Sequence, residues 1–219
     1  MISREKLLEA AIRVFTESGF RGATTRRIAE EAGVNEVTLF RLFKSKTALI
    51  NEAAKLHARL RLENALPLEP HDPRHELTEW CAAQLAFLQK SRALIRKCMA
   101  ELEEHPEMGD CMRHGPASSH TQVRRYARAL ANQTGTAISD DLVDVACTML
   151  MGALFADAMG REFMPQMYPR PVGRAPARYA LMFLRALGIA DVKHASANGN
   201  GHGPHRPHRA HRTRRVARP

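Results

Sequence analysis

The sequence predicts an all-α protein: a small N-terminal three-helix unit over residues 1–48, a larger helical body over 49–190 and a disordered basic tail over 191–219. Three observations carry this expectation. Apolar residues recur at helical spacing along most of the chain, and no stretch alternates with the period of two that a half-buried strand needs. Two short helical patterns meet at Ala32-Gly33-Val34-Asn35, where a helix stop is followed at once by a helix start. After Val192 large apolar side chains almost vanish, and such a segment cannot offset the entropy of folding.

The first helix is expected from Ser3, a good N-cap, to Ser18, with Gly19 just beyond its end and Leu7, Ala11, Val14 and Phe15 on its inner face. Thr25 is the expected cap of the second helix, which buries Ile28, Ala29 and Ala32. Gly33 tolerates the left-handed backbone that ends it, and Asn35 accepts from the free N–H groups of the third helix. There Leu39, Leu42 and Phe43 point inward, leaving Glu36, Val37, Phe40 and Arg41 outside. Ser45 caps a fourth helix from Lys46 to about Leu62.

A proline-rich loop precedes a helix from about Arg74 to Gln89, and Ser91 starts another through Glu104, stopped by His105-Pro106. Further helices span about Ala117–Gln133 and Asp140–Met159. The second of these is apolar almost all round, so it is expected to be buried on several sides. A Pro/Gly-rich loop from Pro165 to Pro176 leads to a last helix ending at Leu187, with Tyr179, Met182, Phe183 and Ala186 on one stripe.

The second and third helices have the layout of a helix-turn-helix, whose second member enters the DNA major groove. Thr25 can offer its hydroxyl and backbone N–H to a phosphate at a helix N-terminus. Arg26, Arg41 and Lys44 add exposed positive charge, and Asn35, Thr38 and Phe40 complete the candidate contact set. At the tip, Glu36 could accept from a cytosine amine and Val37 could touch a thymine methyl.

The order Phe15, Gly19-Phe20, Thr24-Thr25, Ile28-Ala29, Ala32-Gly33-Val34, Thr38-Leu39-Phe40, Phe43, Lys46 and Leu49 resembles the TetR-type (TetR/AcrR) bacterial transcriptional regulators. The resemblance covers about the first fifty residues. It implies a homodimeric transcriptional regulator, expected as a ligand-released repressor, on a palindromic operator of double-stranded DNA, with a small-molecule effector bound in the body and Lys46 placed at the DNA backbone. Three departures stand out: Phe40 lacks the phenolic hydroxyl usual there, Arg41 could replace that phosphate contact, and Leu42 stands where histidine is common. The effector, the operator sequence and the sign of regulation are not legible. A rival reading keeps the fold but makes the protein an architectural or cell-division DNA-binding protein without an inducer. A third has the His-rich tail sequester metal.

The net charge of +10 is uneven. Residues 1–50 hold 9 Lys/Arg against 6 Asp/Glu, residues 51–192 hold 17 of each, and residues 193–219 hold 7 Lys/Arg and no acid. A neutral body suits small molecules or a second copy better than nucleic acid. Trp80, Phe87, Met99, Tyr126 and Phe155 are the expected pocket lining, and Met149, Tyr179, Met182, Phe183 and Ala186 the expected dimer interface.

Cys81, Cys98, Cys111 and Cys147 form no C-x-x-C pair and are expected as free thiols in a reducing cytoplasm, with the protein at the nucleoid. His105, Cys111 and His114 match no standard zinc spacing, so neither a metal nor another cofactor is expected. The apolar run Val145–Ala156 is too short to cross a bilayer, and no membrane partner is expected. Phosphate loops, G-x-S-x-G and H-E-x-x-H motifs are absent, which argues against an enzyme.

Overall fold

The computed structural model describes residues 2–59, 65–106 and 109–189, and the side chains of 4–57, 65–106, 109 and 115–189. The basic tail, Cys111 and His114 therefore lie outside the described side chains. Among the described residues there are nine α-helices and no strand. They are α1 (Ile2–Gly22), α2 (Thr25–Glu31), α3 (Glu36–Phe43), α4 (Lys46–Arg59), α5 (Pro73–Lys90), α6 (Arg92–Glu101), α7 (Gly109–Thr134), α8 (Asp140–Gly160) and α9 (Ala175–Ala186).

Two apolar cores organise these helices. The first gathers Leu7, Phe15, Ile28, Leu39, Phe43 and Leu49 from α1 to α4, and it also takes Leu94 and Cys98 from α6. The small head is thus sealed partly by a helix of the body. The second core joins α5, α7, α8 and α9 around Trp80, Tyr126, Leu130, Leu154 and Phe183. Both are continuous apolar interiors of the kind that holds a helical domain together.

Local signals explain the helix ends. Asp72 accepts from the His75 N–H at 3.1 Å while Pro73 opens α5, and Glu76 returns to the His71 and Asp72 N–H groups, each at 3.1 Å. Ser139 caps α8 through the Leu142 N–H. α7 begins at Gly109, well before the expected Ala117, and carries Pro116 inside it. Proline has no N–H to give the preceding turn, and the rest of the helix tolerates one missing bond.

Two expectations about the body change. α8 is not enclosed on all sides within one chain. Val143, Ala146, Cys147, Leu150 and Leu154 enter the core, while Leu142, Val145 and Met149 remain 56, 47 and 65% exposed. By length and composition α8 could cross a membrane, yet its buried face includes the charged Asp157, held by Arg161 and by the Tyr179 hydroxyl at 2.8 Å.

Phe183, expected on a partner-facing stripe, is 3% exposed and belongs to the body's own core. Tyr179 is half-buried against Asp157, so its hydroxyl also faces inward. Of that stripe, Met182 and Ala186 stand outside, because the core-facing line of α9 runs through Ala180, Phe183, Leu184 and Leu187.

Candidate nucleic-acid interface and internal cavity

The turn between α2 and α3 is built as its residues dictate. Thr24, not Thr25, is the N-cap of α2, its hydroxyl oxygen accepting from the Arg27 N–H at 3.2 Å. Gly33 closes α2 at φ 66°, and the Val34 N–H returns to the Ala29 carbonyl at 3.0 Å. Asn35 then caps α3 by accepting from the Val37 N–H at 2.9 Å. Lys44 ends α3 with a left-handed φ of 62°, and Ser45 caps α4 through the Ala48 N–H at 3.1 Å.

Two apolar contacts keep α3 in place. Leu39 and Phe43 are buried, and the Arg4 guanidinium lies 5.1 Å from the Phe43 ring centroid. The opposite face projects Val37, 72% exposed, and Phe40, 47% exposed. Leu42, expected inward, is 37% exposed, since the short helix has room for only two deep anchors. Thr38 is half-buried, whereas Asn35, Arg26, Arg41 and Lys44 are exposed.

Three expected contacts are already engaged. The Thr25 hydroxyl donates to Glu36 at 2.5 Å, turning that carboxylate toward the start of α2. Arg26 pairs with Glu30 at 3.0 Å. The Lys46 ammonium donates to the Phe20 carbonyl at 2.7 Å and sits 4.0 Å from the Phe20 ring centroid. Burial pushes the Lys46 pKa down, and nearby Glu101 opposes that shift.

A cavity of about 500 Å³ opens between α4, α5, α6, α7 and α8. Phe87, Ile95, Met151 and Phe155 form its apolar walls, and Pro116 lies where α7 borders it. Its polar side chains are His57, Ser91, His120 and Thr148. Of the side chains expected in a pocket lining, Phe87 and Phe155 border this cavity. Trp80 and Tyr126 do not: both are core residues, Trp80 borders a separate cleft beside Glu76 and Glu79, and the Tyr126 hydroxyl donates to Glu76 at 2.5 Å. Met99 is 49% exposed and lines neither space.

The sequence reading missed His57 and Ser91. Each is a polar residue on a helix or at its end, which pattern analysis assigns to solvent. Here the His57 Nε2 and Ser91 Oγ lie 2.8 Å apart at the cavity wall. Burial holds the His57 pKa below its ordinary value, and Lys90 adds to this. Among the described residues no cluster of histidine, cysteine and carboxylate could hold a metal.

Residues 7–53 match the profile of the bacterial regulatory proteins of the tetR family. The chain is 38% identical over 56 residues to an uncharacterized HTH-type transcriptional regulator, YvkB, of Bacillus subtilis, covering 26% of this chain and 30% of that protein. It is 34% identical over 98 residues to the HTH-type transcriptional repressor AcnR of Corynebacterium diphtheriae, covering 41% of this chain and 50% of the relative. The chain thus spans half or less of these curated relatives. Among solved structures, a transcriptional regulator from Pseudomonas aeruginosa superposes with a TM-score of 0.68 at 22% identity, over 84% of this chain and 89% of that one. That likeness extends the shared fold through the helical body. Residues 7–53 thus resemble the tetR family of bacterial regulatory proteins, and the match is confined to this N-terminal segment.

Proposed function

We propose that the protein is a homodimeric transcriptional repressor that reads a palindromic operator and releases it when a small molecule occupies the cavity of the body. The observation that carries this is α3, a short helix pinned by Leu39 and Phe43 that projects Val37 and Phe40 into solvent. An exposed apolar tip on a helix-turn-helix suits base edges and thymine methyls. Arg41 and Lys44 beside it suit phosphates, as do Thr25, Arg26 and Lys46 once DNA competes for their present partners. Asn35, Glu36 and Thr38 complete the surface presented to the groove.

Dimerisation is supported by the exposed line of Leu142, Val145 and Met149 on α8 beside Met182 and Ala186 on α9. Two copies packed there bury both lines in a four-helix bundle and set two recognition helices about 34–36 Å apart, one turn of DNA. Repression is supported by the name of the relative AcnR, a transcriptional repressor. In this reading residues 1–48 form the DNA head, 49–190 the effector and dimer body, and the 7 Lys/Arg residues of 193–219 a sequence-independent clamp on flanking phosphates. The protein acts in the cytoplasm, at the nucleoid.

Purified protein is incubated with genomic fragments and the bound ones are sequenced. Recovery of a few fragments sharing one palindrome supports the reading. Coverage without a shared motif overturns it in favour of an architectural role.

A further inference from the structure

We infer that the cavity selects an uncharged, largely apolar molecule carrying one hydrogen-bonding group, which docks at the His57–Ser91 pair. This rests on the reading of the cavity as an effector site and names the chemical class of its occupant.

Among the described residues, lysine, arginine, aspartate and glutamate contribute nothing to the lining. An ion entering such a space loses its hydration and meets no countercharge, which is why buried charges in proteins are paired. At the His57–Ser91 pair a carboxylate would need a protonated imidazole, but burial favours the neutral form of His57. A cation would need a carboxylate, and among the described residues none borders the cavity.

The described polar side chains on the wall are few: His57, Ser91, His120 and Thr148. Ser91 is 3% exposed, and its hydroxyl lies 2.8 Å from the His57 Nε2. A hydroxyl and an imidazole together offer both a donor and an acceptor, so a ligand alcohol, ketone or amide can join them without leaving a buried group unmatched. Pro116 brings no backbone N–H to the α7 wall. Phe87, Ile95, Met151 and Phe155 supply the apolar remainder. At about 30 Å³ per water-sized group, the space takes on the order of 15 non-hydrogen atoms.

The test uses the full-length protein, the neutral dye phenylnaphthylamine as a fluorescent occupant, and three displacing molecules of equal chain length: decanol, decanoate and decylamine. At about pH 8, decanol is expected to displace the dye at a concentration at least about tenfold below either charged analogue. Decanoate or decylamine displacing as well as decanol would overturn the inference. Gly152 lines the cavity, and a Cβ built there meets nothing within 4 Å. Gly152→Leu should therefore fill the cavity and abolish dye binding; undiminished binding by a folded variant would also overturn it. Phe155→Ala, which enlarges the space, should shift the preference toward dodecanol, and an unchanged order counts against the inference. Decanol binding that leaves affinity for a selected DNA fragment unchanged would sustain the ligand class while sinking ligand release.

Discussion

The Phe20 backbone N–H donates to the Glu101 carboxylate at 3.1 Å, joining the end of α1 in the head to the end of α6 in the body. The Phe20 ring is clasped as well, by Lys46 at 4.0 Å and by the His105 ring at 4.3 Å. Gly19 permits this approach. Its φ of 70° is left-handed, and a Cβ there would fall 2.2 Å from the Glu101 Oε1. The same α6 contributes Leu94, Ile95 and Cys98 to the cavity wall. An occupant that displaces α6 therefore displaces Glu101, and with it the seat of the head. Such a contact is where binding in the body can bias the head between two arrangements.

Gly19→Ala is expected to cost about 1–3 kcal/mol, since it combines a disfavoured φ with a clash against the Glu101 carboxylate. Glu101→Gln keeps an acceptor for the Phe20 N–H and should cost less, about 1 kcal/mol. Urea unfolding of the three proteins checks both values. Equal stability of Gly19→Ala and wild type would show that the contact is not made in solution.

On the DNA face, Val37→Ala should weaken discrimination at one base step by about 1–3 kcal/mol, whereas Arg41→Ala should lower affinity for all sequences alike. Glu36→Ala should do the opposite. It frees the Thr25 hydroxyl, now donated to Glu36 at 2.5 Å, and removes a negative charge near incoming phosphates. Binding selections followed by salt titration separate these effects. A Glu36→Ala protein with wild-type affinity but altered base preference would return that residue to direct reading.

The head was legible because its signals are local. Gly33 at a left-handed turn, Asn35 as a cap and Ser45 as a cap follow from the residue types and their neighbours alone. Thr24 and Thr25 could not be separated this way, since both can cap and only the entry angle of the chain chooses. In the body, periodicity located the helices but not the neighbour each apolar line meets. Phe183 and Met182 are adjacent in sequence, yet the first enters the core and the second faces out. Trp80, expected in a pocket lining, is a core residue, because helical spacing does not tell which apolar side chains border a cavity. His57 and Ser91 became a pair only when α4 was laid against the junction of α5 and α6.

A charge disturbs a dimer seam on the exposed side of α9 and the body's own core on the buried side. Met182, 60% exposed, is the residue to charge. Met182→Glu should yield a folded monomer with unchanged helicity and greatly weakened operator binding, because a dimer's two half-site contacts are lost together. Phe183→Glu should instead unfold the body, since it buries an unpaired carboxylate. Sedimentation and circular dichroism distinguish the outcomes. A wild-type protein that sediments as a monomer at all concentrations would remove the dimer from the mechanism.

His57 should make stability depend on pH. Its folded pKa lies below the unfolded value of about 6.5, chiefly through burial and secondarily through Lys90. Above that value both states are neutral and the residue adds no pH dependence. As pH falls through about 6.5 the unfolded chain takes up the proton first, so stability is lost until the folded pKa is also passed. The loss is bounded at about 1.4 kcal/mol per pH unit for one proton. His57→Gln keeps a hydrogen-bonding group toward Ser91 but cannot titrate, so urea midpoints between about pH 7 and pH 5 should fall less steeply than in wild type. Parallel slopes for the two proteins would mean that His57 is as accessible to protons folded as unfolded, and that the cavity wall is wetter than its lining implies.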